Sequence, residues 1–230
     1  MNKLVVFDLD NTLCAPGRGV TQENLRLLRK LEEKGARIAI CSGKPTYYLC
    51  GFMRQVGLER PVLVGENGTV IQFGVDLPPQ AYYVLPYSAA AGRSIRMLRE
   101  ALDKELPDMW YQPNVTGLTP FPKDKAQFDA LTACVERMRP QMEDVLIYLH
   151  ADCYDITPCG VTKKSGLAYL GSLLGIAPEE TVCIGDGVND YPMFEYAGLA
   201  LGVNVKDSER VNRNFTDVGD AMRYLLKMYE

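Results

Sequence analysis

Val5-Val-Phe-Asp-Leu-Asp-Asn-Thr-Leu13 is an apolar run that breaks into two carboxylates, Asp8 and Asp10, spaced i, i+2. In an extended strand that spacing turns both side chains to the same side. Two like charges held together repel unless a cation or a shared proton relieves them, a requirement that Mg²⁺ meets. Asp and Asn also make ordinary turns, so the peptide alone leaves a turn and a site both open.

Three further stretches read like the first. Leu4 to Phe7, Arg37 to Cys41, Val62 to Val64 and Val182 to Gly185 are continuous rather than alternating apolar runs. That is the pattern of parallel strands covered on both faces. Between the first two, residues 21–34 carry Leu25, Leu28 and Leu31 at helical spacing and stop at Gly35, a C-terminal helix signal. Strand, helix, strand implies right-handed crossovers and an α/β fold with a Rossmann-like parallel sheet. Ligands in such sheets bind beyond the carboxyl ends of the strands, where Asp8, Ser42 and Asp186 fall.

The strand ends carry complementary chemistry. Ser42 and Gly43 follow an apolar run and precede Pro45, suited to a helix's first turn, so exposed amides there would favour a phosphate. Lys163 and Lys164 head an amphipathic segment with Leu167, Leu170 and Leu174 on one face. Lysines in a first turn oppose the helix dipole, which favours a functional cation over a solvated surface residue. Thr181-Val-Cys-Ile-Gly-Asp-Gly-Val-Asn-Asp190 repeats the opening logic and ends in Asp186 and Asp190.

Taken together, Asp8-Leu9-Asp10, Ser42-Gly43, Lys163 and Gly185-Asp186 to Asp190 resemble the four motifs of the haloacid dehalogenase superfamily. With Gly65-Glu66-Asn67-Gly68, they are similar to small phosphoglycolate phosphatases and Cof-like sugar phosphatases. Asn11 departs from the glycine, and Ser42 from the threonine, that many such relatives carry. The resemblance implies a Mg²⁺-dependent phosphomonoester hydrolase working through an aspartyl-phosphate. It implies Asp8 as nucleophile, Asp10 as acid and base, and Ser42, Gly43, Lys163 and Asn189 around the phosphate. Asp8, Asp10, Asp186 and Asp190 are then the metal residues, Asp10 through its backbone carbonyl or its carboxylate. It also implies a mobile α+β cap of the second class inserted in the core.

The chain accommodates such an insert. Val75-Asp-Leu-Pro-Pro and Thr157-Pro-Cys-Gly read as joins, giving a core of residues 1–75 and 158–230 and a cap of residues 76–157. Within the cap, residues 88–106 and 123–139 have helical apolar faces. Met109 to Tyr111, Val145 to Leu149 and Cys153 to Ile156 read as short strands.

Composition narrows the partners. With 47% hydrophobic and 23% charged residues and a net charge of -4, the chain is globular and has no basic footprint for nucleic acid. No apolar run approaches a membrane span and the start lacks a signal peptide's pattern, so a cytoplasmic monomer or homodimer is expected. Seven cysteines without a Cys-x-x-Cys pair read as reduced thiols, with Cys41 and Cys183 in the core. The single histidine, His150, leaves little scope for a zinc site or a Ser-His triad and reads as structural. A small phosphorylated metabolite is the expected partner. The competing readings are a phosphomutase, a receiver domain, and a phosphate-binding regulatory module that does not turn over. The long insert counts against the receiver, and retention of both Asp8 and Asp10 counts against the module.

Overall fold

The computed structural model describes residues 3–229. The chain divides into two compact units, one running to Val84 and resuming at Thr162, the other spanning Leu85–Val161.

The first pass through unit one contains β1 (Leu4–Phe7), α1 (Gln22–Glu33), β2 (Arg37–Cys41), α2 (Thr46–Val56), β3 (Val62–Gly65), β4 (Val70–Phe73) and β5 (Ala81–Val84). Helix α1 starts where the Thr21 hydroxyl accepts from Asn24 N at 3.2 Å, satisfying an amide the helix itself cannot. It buries Leu28 and Leu31 and ends before Gly35, whose φ of +94° suits glycine.

Unit two holds α3 (Ala89–Glu105), β6 (Trp110–Gln112), β7 (Thr119–Phe121), α4 (Lys125–Met138), β8 (Val145–Leu149) and β9 (Tyr154–Pro158). Its strands form two antiparallel pairs, β6 with β7 and β8 with β9. Reciprocal backbone bonds between Leu118 and Ile156, at 2.9 and 3.0 Å, join them. Leu98 and Leu102 of α3 and Leu131, Cys134 and Val135 of α4 close over Tyr154 and Ile156, making a core separate from that of unit one. Strand β7 was not anticipated, because Pro120 lacks the N–H a ladder uses.

The chain returns through α5 (Lys163–Leu174), β10 (Thr181–Gly185), α6 (Tyr191–Phe194), β11 (Leu199–Val203), β12 (Arg213–Phe215) and α7 (Val218–Lys227). The eight-stranded sheet runs β12-β11-β10-β1-β2-β3-β4-β5. Strands β12 to β3 are parallel, while β4 and β5 add antiparallel. The expected α/β parallel core is thus present, with an antiparallel edge.

That edge moves the joins. The proline-rich stretch after Val75 is the loop of the β4–β5 hairpin, in which Phe73 pairs with Ala81 and Val70 with Val84. Unit one therefore continues to Val84. At the return, Thr157 and Pro158 still pair with β8, so unit two continues to Val161. No helix among the described residues is long and apolar enough to cross a membrane.

Candidate active site

Phe7 pairs in register with Ile40 on one side and Ile184 on the other, so β1, β2 and β10 end level with one another. Asp8 N donates to Ile184 O at 2.8 Å, and Ser42 and Asp186 stand just past the ends of the neighbouring strands.

Beyond Asp8 the backbone leaves the strand. Leu13 N and Cys14 N both donate to Leu9 O, at 2.9 and 3.1 Å, and Asn11 adopts a left-handed φ of +64°. Asn accepts that conformation almost as glycine does, which accounts for the departure noted at this position. The turn carries Thr12 back so that its hydroxyl donates to Asp186 Oδ1 at 2.7 Å. Sequence reasoning passed over Thr12. Its signal was a hydroxyl two residues after the second acid.

The turn also separates the two opening carboxylates. Asp8, Asp186 and Asp190 each offer an oxygen within 4.8 Å of the others. Asp10 is not in that cluster, and its partly exposed carboxylate lies 4.0 Å from Lys44 Nζ. Strand alternation, on which the i, i+2 argument relied, ends at Phe7.

Helix α5 supplies the cation. The Thr162 hydroxyl accepts from Ser165 N, and the Ser165 hydroxyl accepts from Thr162 N, boxing the first turn. Lys163 follows, only 1% exposed, with Nζ 2.6 Å from Asp8 Oδ1 and 2.6 Å from Asp190 Oδ1. Lys164 instead meets Glu195 at 3.2 Å on the exposed face. Asp190 is fully committed: its second oxygen accepts from Asp186 N at 2.9 Å and Gly187 N at 3.0 Å. Gly185 makes room for it, because a Cβ there would stand 2.5 Å from Asp190 Oδ2.

Ser42 is buried, its hydroxyl accepting from Lys44 N at 3.2 Å, and half-buried Gly43 follows. Pro45 directly precedes α2 rather than lying in its first turn. Asn189 stands exposed on the turn before α6. His150 is exposed and its N–H donates to Cys153 O at 2.9 Å across the β8–β9 turn. None of the seven cysteines forms a disulfide, and burial pushes the Cys41 thiol up to about 12, so it is no nucleophile.

Electrostatically, three carboxylates share one buried ammonium. Burial lifts the Asp8 carboxyl to about 7 against the pull of Lys163, with Asp190 and Asp186 adding to the rise. Burial likewise raises Asp186. For Lys163 burial works downward, but Asp8 and Asp190 hold its ammonium above the ordinary lysine value. The surplus negative charge and hard oxygen donors fit a divalent cation such as Mg²⁺.

A family model described as haloacid dehalogenase-like hydrolase matches residues 5–80 and 89–213. A phosphoglycolate phosphatase of Methanopyrus kandleri is 26% identical over 216 residues, covering 87% of this chain and 84% of its own. An HMP-PP phosphatase of an Enterobacter species is 25% identical over 228 residues, covering 87% and 84%. A solved subclass IIB sugar phosphatase superposes with a TM-score of 0.70 at 18% identity, covering 97% of this chain and 98% of its own. At that identity the superposition speaks for the fold alone.

Proposed function

Because the chain belongs to the haloacid dehalogenase-like hydrolases and is a phosphatase of that family, we propose that it cleaves small phosphomonoesters through an aspartyl-phosphate on Asp8. The observation that carries this reading is the Lys163 ammonium clamped between Asp8 and Asp190 at the ends of three level strands.

An Asp8 oxygen attacks phosphorus in line, and the ester oxygen departs, splitting one displacement into two easier ones. Lys163 offsets the charge that would repel a dianionic ester from an acidic pocket. The Ser42 hydroxyl and Gly43 amide hold a phosphoryl oxygen. Asp10, being outside the cluster and partly exposed, is free to protonate the departing oxygen and then take a proton from the water that hydrolyses the acyl phosphate. Asp190 fixes Lys163 and the Asp186–Gly187 backbone rather than meeting the phosphate itself.

Mg²⁺ would be held by Asp8 and Asp186, with Asp190 behind them, and when bound supplies Lewis-acid neutralisation of a phosphoryl oxygen. Thr12 orients Asp186 for that task. The substrate class we infer is phosphoglycolate or a sugar phosphate, and a curated relative's name, phosphoglycolate phosphatase, supports the first.

The test is phosphate release from a panel of phosphorylated metabolites with Mg²⁺ or with a chelator, for the wild type and Asp8→Asn. Release by the wild type alone, and only with metal, is expected. Equal release by Asp8→Asn refutes the covalent route, and no release by either refutes the reading as an enzyme.

A further inference from the structure

Between β3 and β4 the chain turns through Glu66, Asn67 and Gly68, with φ of +51°, +56° and +105°. Left-handed backbone at two consecutive non-glycine residues is unfavourable and persists only where the surroundings over-determine it. This tip is attached on both sides. Glu66 N donates to Lys44 O and Asn67 N to Ser42 O, each at 3.0 Å, so the tip grips the loop that carries Ser42 and Gly43. The Asn67 carboxamide lies over Gly43, where an added Cβ would sit 3.4 Å from it.

On its other side the tip meets the start of α5. A Cβ on Gly68 would stand 2.3 Å from Thr162 O and 3.3 Å from the Lys163 Cα. A Cβ on Gly166 would stand 2.5 Å from Gly68 O. Backbone therefore rests on backbone at both positions, within one helical turn of Lys163.

We propose that the Glu66–Gly68 tip is a positioning wedge that sets the spacing between the Ser42 loop and the Lys163 ammonium, with Gly68 the positioning residue on the lysine side. The proposal rests on the roles given above to Ser42 and Lys163. A side chain at Gly68 must push the head of α5 outward by about 1 Å, the gap between 2.3 Å and the 3.4 Å at which ordinary contact begins. A misplacement of that size lowers turnover on the order of 10²-fold. The strain at Glu66 and Asn67 has the same origin, since both N–H groups must turn back onto the Ser42 loop.

The test compares Gly68→Ala and Gly166→Ala with Gly175→Ala. Gly175 caps the far end of α5 with a φ of +64° but has nothing within 4 Å of an added Cβ. Two readouts are taken: kcat for p-nitrophenyl phosphate with Mg²⁺, and the nitrogen-15 resonance of the protected Lys163 ammonium, assigned by its loss in Lys163→Met. Gly68→Ala and Gly166→Ala are expected to lose about 10²-fold in kcat and to shift or broaden the ammonium signal. Gly175→Ala, which carries left-handed backbone strain but no clash, should change neither. An unmoved resonance or a wild-type kcat in Gly68→Ala overturns the assignment, as does an equal effect from Gly175→Ala. Failure of both Gly68→Ala and Gly166→Ala to fold overturns it too, since the contact would then hold the fold rather than the lysine. A wild type without turnover counts against the phosphatase reading instead, and the resonance alone then decides the wedge.

Discussion

Replacing Lys163 with Met removes the only counter-charge the cluster has among its described contacts. Its Nζ lies 2.6 Å from Asp8 and from Asp190, and the side chain is 1% exposed. Met is unbranched and adaptable, so the change deletes a charge and two hydrogen bonds while leaving little void. Two buried carboxylates are then left facing each other. Removing one partner of a buried pair costs about 3–5 kcal/mol. For a chain of this length each kcal/mol moves the melting midpoint by about 2–4 °C, so a fall of about 6–20 °C follows.

The pH dependence has a definite sign. The folded state raises the Lys163 ionisation point, so its contribution is whole at neutral pH and is lost only in strong alkali. The deficit of Lys163→Met grows as pH rises above neutral, because Asp8, lifted to about 7 even against the ammonium's pull, is raised further without it and stays protonated where the wild type ionises. Lys164→Ala is the control: its half-exposed pair with Glu195 is worth less than about 1 kcal/mol. Circular dichroism melts of the metal-free proteins at acid, neutral and mildly alkaline pH supply the comparison. A Lys163→Met midpoint no lower than that of Lys164→Ala at neutral pH would refute the reasoning.

Other consequences are open to measurement. Thr12→Val should raise the Mg²⁺ concentration for half-maximal turnover by about 10–100-fold through a loosened Asp186, with kcat at saturating metal much less affected; an unchanged metal requirement removes Thr12 from the account. Gly185→Ala drives a Cβ against Asp190 and should destabilise the protein by about 1–3 kcal/mol in denaturant titrations, whereas a neutral result means that Asp190 is not seated as described. Asp8 has a folded pKa raised from 3.8 to about 7, so its contribution favours the metal-free fold below pH 3.8 and is lost as pH rises through 7. Added Mg²⁺ should therefore raise the melting midpoint more above pH 7 than in acid, and a uniform rise would show that the ion does not meet Asp8.

The parallel centre of the sheet was legible because strands covered on both faces cannot afford polar residues, and Leu4 to Phe7, Ile38 to Cys41 and Val182 to Gly185 have none. Strand ends then pointed to Asp8, Ser42 and Asp186 by topology alone. Edge strand β5 was not legible, since Ala81 to Val84 alternates half-buried and exposed residues and follows a proline-rich loop that reads as a linker. The site was legible in its residue types and less so in its geometry. Lys163 and Lys164 are chemically alike, and only the direction of the first turn of α5 sends one to Asp8 and the other to Glu195. Asp10 lies outside the cluster because the strand ends at Phe7, before the i, i+2 alternation reaches it, and the left-handed Asn11 beyond it is a conformation that no spacing rule reports. Gly68 and Gly166 carry no side chain to read at all, and their approach is a property of the assembled backbone.

The central claim, covalent attack by Asp8, is tested most directly in the Asp10→Asn variant, which slows hydrolysis of the acyl phosphate by removing its base. The measurement is acid quench after mixing with a radiolabelled phosphoester, followed by peptide mapping. Label on the peptide containing Asp8, released by alkali and absent from Asp8→Asn with Asp10→Asn, is the predicted result. Label on another peptide, or turnover by Asp10→Asn with no labelled protein at any quench time, would contradict it.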